Sequence, residues 1–476
     1  MKDVGDNMPS KKFLLSKQLQ INSDIKPFSV YQNINRSIFS LTLPAIVSNI
    51  TIPLLGLIDT AIVGHLGATA YIGAIAIGSI VFSMMYWLLG FLRMGTGGLT
   101  AVANGAADTT EIKHILSRSL SIAFLLSLAI IILQVPIFRA MMWFYAPPEG
   151  IKPLVASYFR ILVWGAPFVM ATTALTGWFI GMKNTRYPMI IAIVQNLVNI
   201  FCSLLLVYVF KMRIEGVALG TLISQVTGGI LAFAFCQHLS RKQGVVGRDE
   251  PLLLWQSLNV SRLLGDSKSE WGKFFSIHRD IFLRTLCMVA VMTFIPKVGA
   301  QQGEEILAAN TLLMQFYMIV SYFMDGYATA GEALGGNYYG AHDVLRFRIL
   351  IRRLFLVGFV TAFVFSLAYA FAGNLFLSWL TDKAEVVSQA IPYIPYVVVM
   401  PYVSFVAFIL DGVFAGTTMT RGLLLSVFSG ALAFFLLYLL LFPSYANHGL
   451  WVAYLSFLLI RSIVLWIFLP RIVRKM

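Results

Sequence analysis

Charge is scarce in this sequence. Asp, Glu, Lys and Arg make up 12% of 476 residues, about half the share of an ordinary soluble domain. That shortage excludes a soluble globular fold. With 58% hydrophobic residues and a mean hydropathy of +0.81, it points to a helical protein threaded repeatedly through a bilayer. A membrane β-barrel is excluded too, because its strands would be alternating segments of about ten residues, and the apolar runs here are longer. Cysteine is nearly absent. Cys202, Cys236 and Cys287 are scattered through apolar runs and form neither a disulfide framework nor a metal site. The histidines stand singly at span ends, and no GxxxxGK[ST] phosphate loop occurs, so neither an enzyme nor a cofactor is expected. The formal charge of +14 sits in loops between spans, which suits contact with lipid rather than nucleic acid.

What is present is a series of long apolar runs. Twelve spans are expected, at about 37–64, 73–103, 116–142, 155–182, 187–210, 214–238, 276–298, 306–337, 347–378, 388–416, 422–442 and 449–473. Residues 1–36 read as a polar tail. The stretch 239–275 reads as a connector between a first half (37–238) and a second (276–473), with a partly amphipathic LLLW segment at 252–255. Of the 35 Lys and Arg, 26 fall in segments on the side of the N-terminus and six on the other, with Arg93, Arg160 and Arg461 inside spans. That bias places both termini in the cytoplasm.

The halves repeat at an offset of 235. Gly64 falls on Gly299, Gly105-Ala106 on Gly340-Ala341, LTGWFIG (175–181) on LDGVFAG (410–416), and Thr185-Arg186 on Thr420-Arg421. Six spans per half make the repeat parallel, about an axis along the membrane normal. The expected fold is all-α and polytopic: twelve transmembrane helices in two pseudo-symmetric six-helix lobes around a central cleft.

The acids within spans are few and are not duplicated. Asp59 lies in the first run, between Pro44, Pro53 and Gly64. A carboxylate there costs roughly 2.5–3.5 kcal/mol on insertion scales and so faces a polar interior, while each proline removes a helix hydrogen bond and makes the run bendable. An ionisable group on a bendable membrane helix suits a proton- or ion-driven transporter. Counting about 1.5 Å per residue from the span ends, Asp59, Ser203 and Thr221 come within roughly one turn in depth, with Asn199 a turn deeper. These oxygens suit a proton or Na⁺; they equally suit plain bonding between helices. In the second half Asp325 and Glu332 share a face of span 8, and Asp411 lies below Pro392, Pro395 and Pro401. These acids either handle substrate and protons or pair with Arg93, Arg160 or Arg461. Aromatic residues near Asp325, such as Tyr317, Tyr322 and Phe323, with adaptable methionines, would suit a cleft for flat cations.

LTLPAIVSNITIPLLGLIDTAIVGHLG on span 1, FLRMGTGGLTAVANGA (91–106), HRDIFLR (278–284), YFMDGYATAGEALGGNYYGA (322–341) and LDGVFAGTTMTR (410–421) resemble the multidrug and toxic compound extrusion (MATE) transporters, in their bacterial DinF-like branch. The resemblance implies a bacterial inner-membrane antiporter, expected as a monomer, exporting varied and often cationic amphiphiles against H⁺ or Na⁺. It gives Pro44 the position of the bending proline and Asp59 that of the titrating aspartate. Asn199 and Thr221 match two further members of the N-lobe cation site. Ser203 departs from it: NIFCS (199–203) stands where relatives read Asn-Ile-x-x-Asp. One carboxylate fewer leaves less charge to offset Na⁺ dehydration, which favours H⁺. A flippase for lipid-linked precursors is the alternative; an intramembrane enzyme lacks paired catalytic groups, and a pore would not need two lobes.

Overall fold

The computed structural model describes residues 27–64, 69–145, 148–245 and 268–476. The side chains of residues 52–61, among them Pro53 and Asp59, are outside the described set. The first half contains α1 (Pro27–Gly64), α2 (Thr69–Leu88), α3 (Phe91–Gly105), α4 (Thr109–Ile132), α5 (Gln134–Tyr145), α6 (Lys152–Leu162), α7 (Ala166–Gly181), α8 (Arg186–Leu204) and α9 (Ile214–Lys242). The second contains α10 (Lys268–Gln302), α11 (Glu304–Gly340), α12 (Val344–Leu380), α13 (Ala384–Ala390), α14 (Ile394–Gly416), α15 (Thr420–Tyr445) and α16 (Asn447–Lys475). Eleven helical stretches among the described residues are long and apolar enough to cross a membrane, and α1 precedes them. The fold is the expected all-α, twelve-span, two-lobed one.

Element ends differ from the hydropathy pattern where polar residues remain helical. The backbone of α1 is helical from Pro27 onward and through both internal prolines. Helix α9 runs to Lys242 and α10 starts at Lys268, so both ends of the expected connector are helical; its residues 246–267, including the amphipathic segment, lie outside the described residues. The third span is broken at Leu133 into α4 and α5. Short 3₁₀ turns, Val163–Gly165 and Ile391–Tyr393, precede the prolines at the second position of α7 and α14, where a missing N–H is harmless.

The 235-residue repeat is written into the backbone. Ala107 and His342, Lys183 and Thr418, and Lys211 and Ala446 are three pairs at that offset, and all six carry positive φ. Asp108 caps α4 by accepting from the Glu111 amide at 2.9 Å, and Asp343 caps α12 from the Arg346 amide at 2.9 Å. Packing repeats as well. Gly177 and Gly181 on α7 lie against the Arg93 and Gly97 carbonyls of α3, as Gly412 and Gly416 on α14 lie against the Ala328 and Glu332 carbonyls of α11.

Between the halves the contact is reciprocal. A Cβ on Gly105 would lie 2.0 Å from the Asn337 carbonyl oxygen, and one on Gly340 would lie 2.0 Å from that of Val102. Residue 102 is the counterpart of 337, so each half presents the same pair of groups to the other across a pseudo-two-fold axis. Gly98 against the Ala415 carbonyl and Lys183 donating to Asn337 Oδ1 at 3.2 Å continue this close packing. It seals one end of the interface between lobes.

Candidate functional site

Above that seal, a cavity of about 610 Å³ opens between the lobes. It is lined by Asp325 and Glu332 from α11, Asp411 from α14, Arg93 from α3, Arg284 from α10 and Arg461 from α16. Helix α1 contributes Ala45, Ser48 and Asn49, and apolar wall comes from Met94, Met288, Met292, Trp87, Tyr317 and Phe408. The three acids singled out in the second half of the sequence are thus brought to one cavity.

Their situations differ. Asp411 Oδ2 accepts from Arg461 Nη2 at 2.6 Å and from Arg284 Nη2 as well. Arg461 is only 1% exposed and lies 5.2 Å over the Phe457 ring. Glu332, also buried, receives Arg93 Nη1 at 3.4 Å, while its Oε1 sits against Gly97 without a partner among the described residues. Asp325 is exposed to the cavity and makes no ion pair among the described residues. Of the alternatives open at the sequence level, Asp411 and Glu332 take the paired arrangement and Asp325 does not.

Arg284 is the residue that the charge count misplaces. HRDIFLR reads as the basic edge of a cytoplasmic segment, yet α10 begins at Lys268 and carries Arg284 into the cavity. A signal was available in the spacing: Arg284 lies four residues, about one turn, beyond Asp280 on the same face. Arg160, the remaining arginine within the expected spans, does not line the cavity.

A second polar group is buried in the first half. Asn199 Nδ2 on α8 donates to Thr221 Oγ1 on α9 at 2.9 Å, and Thr221 in turn donates to the Val217 carbonyl at 2.9 Å. Ser203 Oγ lies beside them, close enough to Gly220 that a Cβ there would be 2.4 Å away. Asn199 Oδ1 and Ser203 Oγ are buried and have no hydrogen-bond partner among the described residues, which is costly in an apolar interior. Helix α1 packs alongside: Asn196 Nδ2 donates to the Thr51 carbonyl at 2.8 Å and Thr185 Oγ1 to that of Leu41 at 2.9 Å. Pro44 is buried in that helix; the Asp59 side chain lies outside the described residues. So Asn199, Ser203 and Thr221 come together, with Asn199, expected a turn deeper, bonded directly to Thr221. Among the described residues no cluster of His, Cys, Asp and Glu could hold a metal.

Two repeated lobes of long apolar helices around a polar cavity define a membrane transporter. The MatE family model matches the chain twice, at residues 44–205 and 280–439, once in each half. The chain is 32% identical over 431 residues to DNA damage-inducible protein F of Escherichia coli (strain K12), covering 90% of this chain and 91% of that one. It shares its fold, at 17% identity and a TM-score of 0.82, with a crystal structure of a MATE protein in the bent conformation, covering 94% and 97% of the two chains. A multidrug resistance MATE family transporter of the MOP superfamily in an outward-facing conformation matches at 19% identity and a TM-score of 0.80, over 93% and 96%. This chain belongs to the MATE family of transporters, and it is not an enzyme.

Proposed function

We propose that this transporter exports amphiphilic compounds, often cationic, across a bacterial inner membrane in exchange for protons, by alternating access between two lobes, 37–238 and 276–473. The carrying observation is the buried cluster of Asn199, Ser203 and Thr221 beside α1, with two oxygens unpartnered among the described residues. In our reading, Asp59 on α1 completes this cluster and Pro44 lets the helix bend when Asp59 is protonated. Coupling then needs only that Asp59 prefers different protonation states in the two conformers. With Ser203 where a second carboxylate would offset Na⁺ dehydration, H⁺ is favoured over Na⁺. Substrate would occupy the cavity of about 610 Å³, its cationic group near Asp325 and its flat apolar part on Trp87, Tyr317 and the methionines. Three acids offset the three arginines there, so the cavity lacks the surplus positive charge that a pyrophosphate lipid would want. The excess of basic residues around the sealed end supports a cytoplasmic placement for it and for both termini, which makes this conformer outward-open.

The test is the Asp59→Asn variant in proteoliposomes, with pH and Na⁺ gradients imposed separately. Uphill substrate movement should vanish in the variant, and in the parent it should follow the pH gradient alone. Unchanged pH-driven export by Asp59→Asn defeats the scheme.

A further inference from the structure

A second cavity, of about 450 Å³, lies away from the interface between lobes, where α10, α15 and the end of α16 meet. Its walls include Ile277, Phe414, Leu425 and Phe468, and its rim carries Lys273, Arg421, Arg471 and Lys475. All four cations are exposed, and none makes an ion pair among the described residues. Arg471 lies 4.2 Å over the Phe468 ring. The one acid in the lining, Asp280, is already engaged: it accepts from Thr420 Oγ1 at 3.1 Å and from Arg279 at 2.9 Å. The cavity therefore has positive charge to spare.

The internal repeat acts as a control. Helix α8 begins at Thr185-Arg186 as α15 begins at Thr420-Arg421, 235 residues on. At the start of α8, Asn184 Oδ1 accepts from the Arg186 and Tyr187 amides, at 3.1 and 3.2 Å. Its counterpart is Met419, which has no oxygen to offer, and no side chain caps α15. The counterparts of Arg471 and Lys475 are Cys236 and Ser240. Where the first half supplies its own acceptor, the second supplies cations and leaves the acceptor out. On the outside of α15, Leu425, Phe428, Leu432 and Leu436 are exposed every third or fourth residue leading away from the cavity, a track for an acyl chain.

We propose that this cavity is a headgroup site for an anionic phospholipid, whose phosphate sits among Arg421, Arg471, Lys273 and Lys475 and whose chain lies along α15. The rationale is the one that places acidic lipid headgroups in basic pockets between membrane helices. The test is native mass spectrometry of the full chain purified with phosphatidylglycerol, phosphatidylcholine or inorganic phosphate at equal concentration. Phosphatidylglycerol should survive delipidating washes, and the other two should not. The double variant Arg421→Gln/Arg471→Gln should retain it roughly 30-fold less well, at about fivefold per basic residue. Arg421→Lys/Arg471→Lys should restore it. Arg348→Gln/Arg352→Gln, which removes equal charge from exposed positions on α12 outside the cavity, should leave retention unchanged. Equal retention of phosphatidylcholine, equal binding of inorganic phosphate, or equal losses in the two glutamine doubles would each overturn the proposal.

Discussion

Asp411 Oδ2 receives Arg461 Nη2 at 2.6 Å in a site where the arginine is almost wholly buried. Arg284 adds a second guanidinium to the same oxygen, so one carboxylate is shared by two cations within the second lobe. Removing one member of a buried charge group costs more than the group contributes, because the partner is left uncompensated.

Asp411→Asn should therefore destabilise the protein by about 3–5 kcal/mol. Thermal unfolding in detergent is the measurement, and Asp411→Leu/Arg461→Met should recover part of the loss. A cost below about 1 kcal/mol, as for an exposed pair, would show that cavity water already screens the arginines.

Gly98 faces the Ala415 carbonyl oxygen, and a Cβ would lie 2.0 Å from it. Because the obstruction is backbone, Gly98→Ala should pry α3 from α14 and loosen the sealed end. In a background with Cys202, Cys236 and Cys287 changed to serine, Ala101→Cys is buried in the seal and should label slowly with a maleimide. Adding Gly98→Ala should speed labelling roughly tenfold, for a shift of about 1.4 kcal/mol in the opening equilibrium. No change in rate would place the seal elsewhere.

The repeat was legible in the sequence because it survives in small residues. Gly105 and Gly340 align at one offset, and their reciprocal contacts explain why both had to stay glycine. Arg284 was not legible: it falls inside the expected span 276–298 but counts with the cytoplasmic cations, because a charge count cannot tell a buried arginine from one in a loop. Its partner Asp411 lies 127 residues away, beyond any local pattern. The pairing of Asp411 rather than Asp325 depends on which way two helices turn, and spacing does not encode that. The break at Leu133 has no stronger local signal than Pro136 nearby. By contrast, depth counting brought Thr221 to the neighbourhood of Ser203 and Asn199, because α8 and α9 are antiparallel neighbours joined by a short turn, but it placed Asn199 a turn deeper than the hydrogen bond to Thr221 puts it.

Ser203→Asp puts an acid beside Asn199 Oδ1, which has no partner among the described residues. Added ligand charge should raise Na⁺ affinity roughly tenfold, and a Na⁺ gradient should then drive substrate export in the variant and not in the parent. Export that stays indifferent to Na⁺ would mean that Gly220, packed against this position, denies a carboxylate the room to bind.

Lys183, between α7 and α8, carries a pH signature. Burial, and secondarily the Arg346 guanidinium, lowers its pKa from the usual lysine value. The unfolded chain thus holds this proton more tightly, so its contribution to stability rises as pH climbs from the folded pKa toward the unfolded value of about 10.4. Relative to Lys183→Met, the parent should gain in melting temperature as pH rises toward the unfolded lysine value. A difference flat over that rise would mean that the ammonium is as well hydrated as in the unfolded chain.

The left-handed turns recur in both halves at Ala107 and His342, Lys183 and Thr418, Lys211 and Ala446, whereas the charged cavity groups have no such twins. On the proposed transport cycle, joints and cargo-handling chemistry are therefore separately adjustable: changes to Asp325 or Arg284 would retune what is carried while the twinned corners stay as they are.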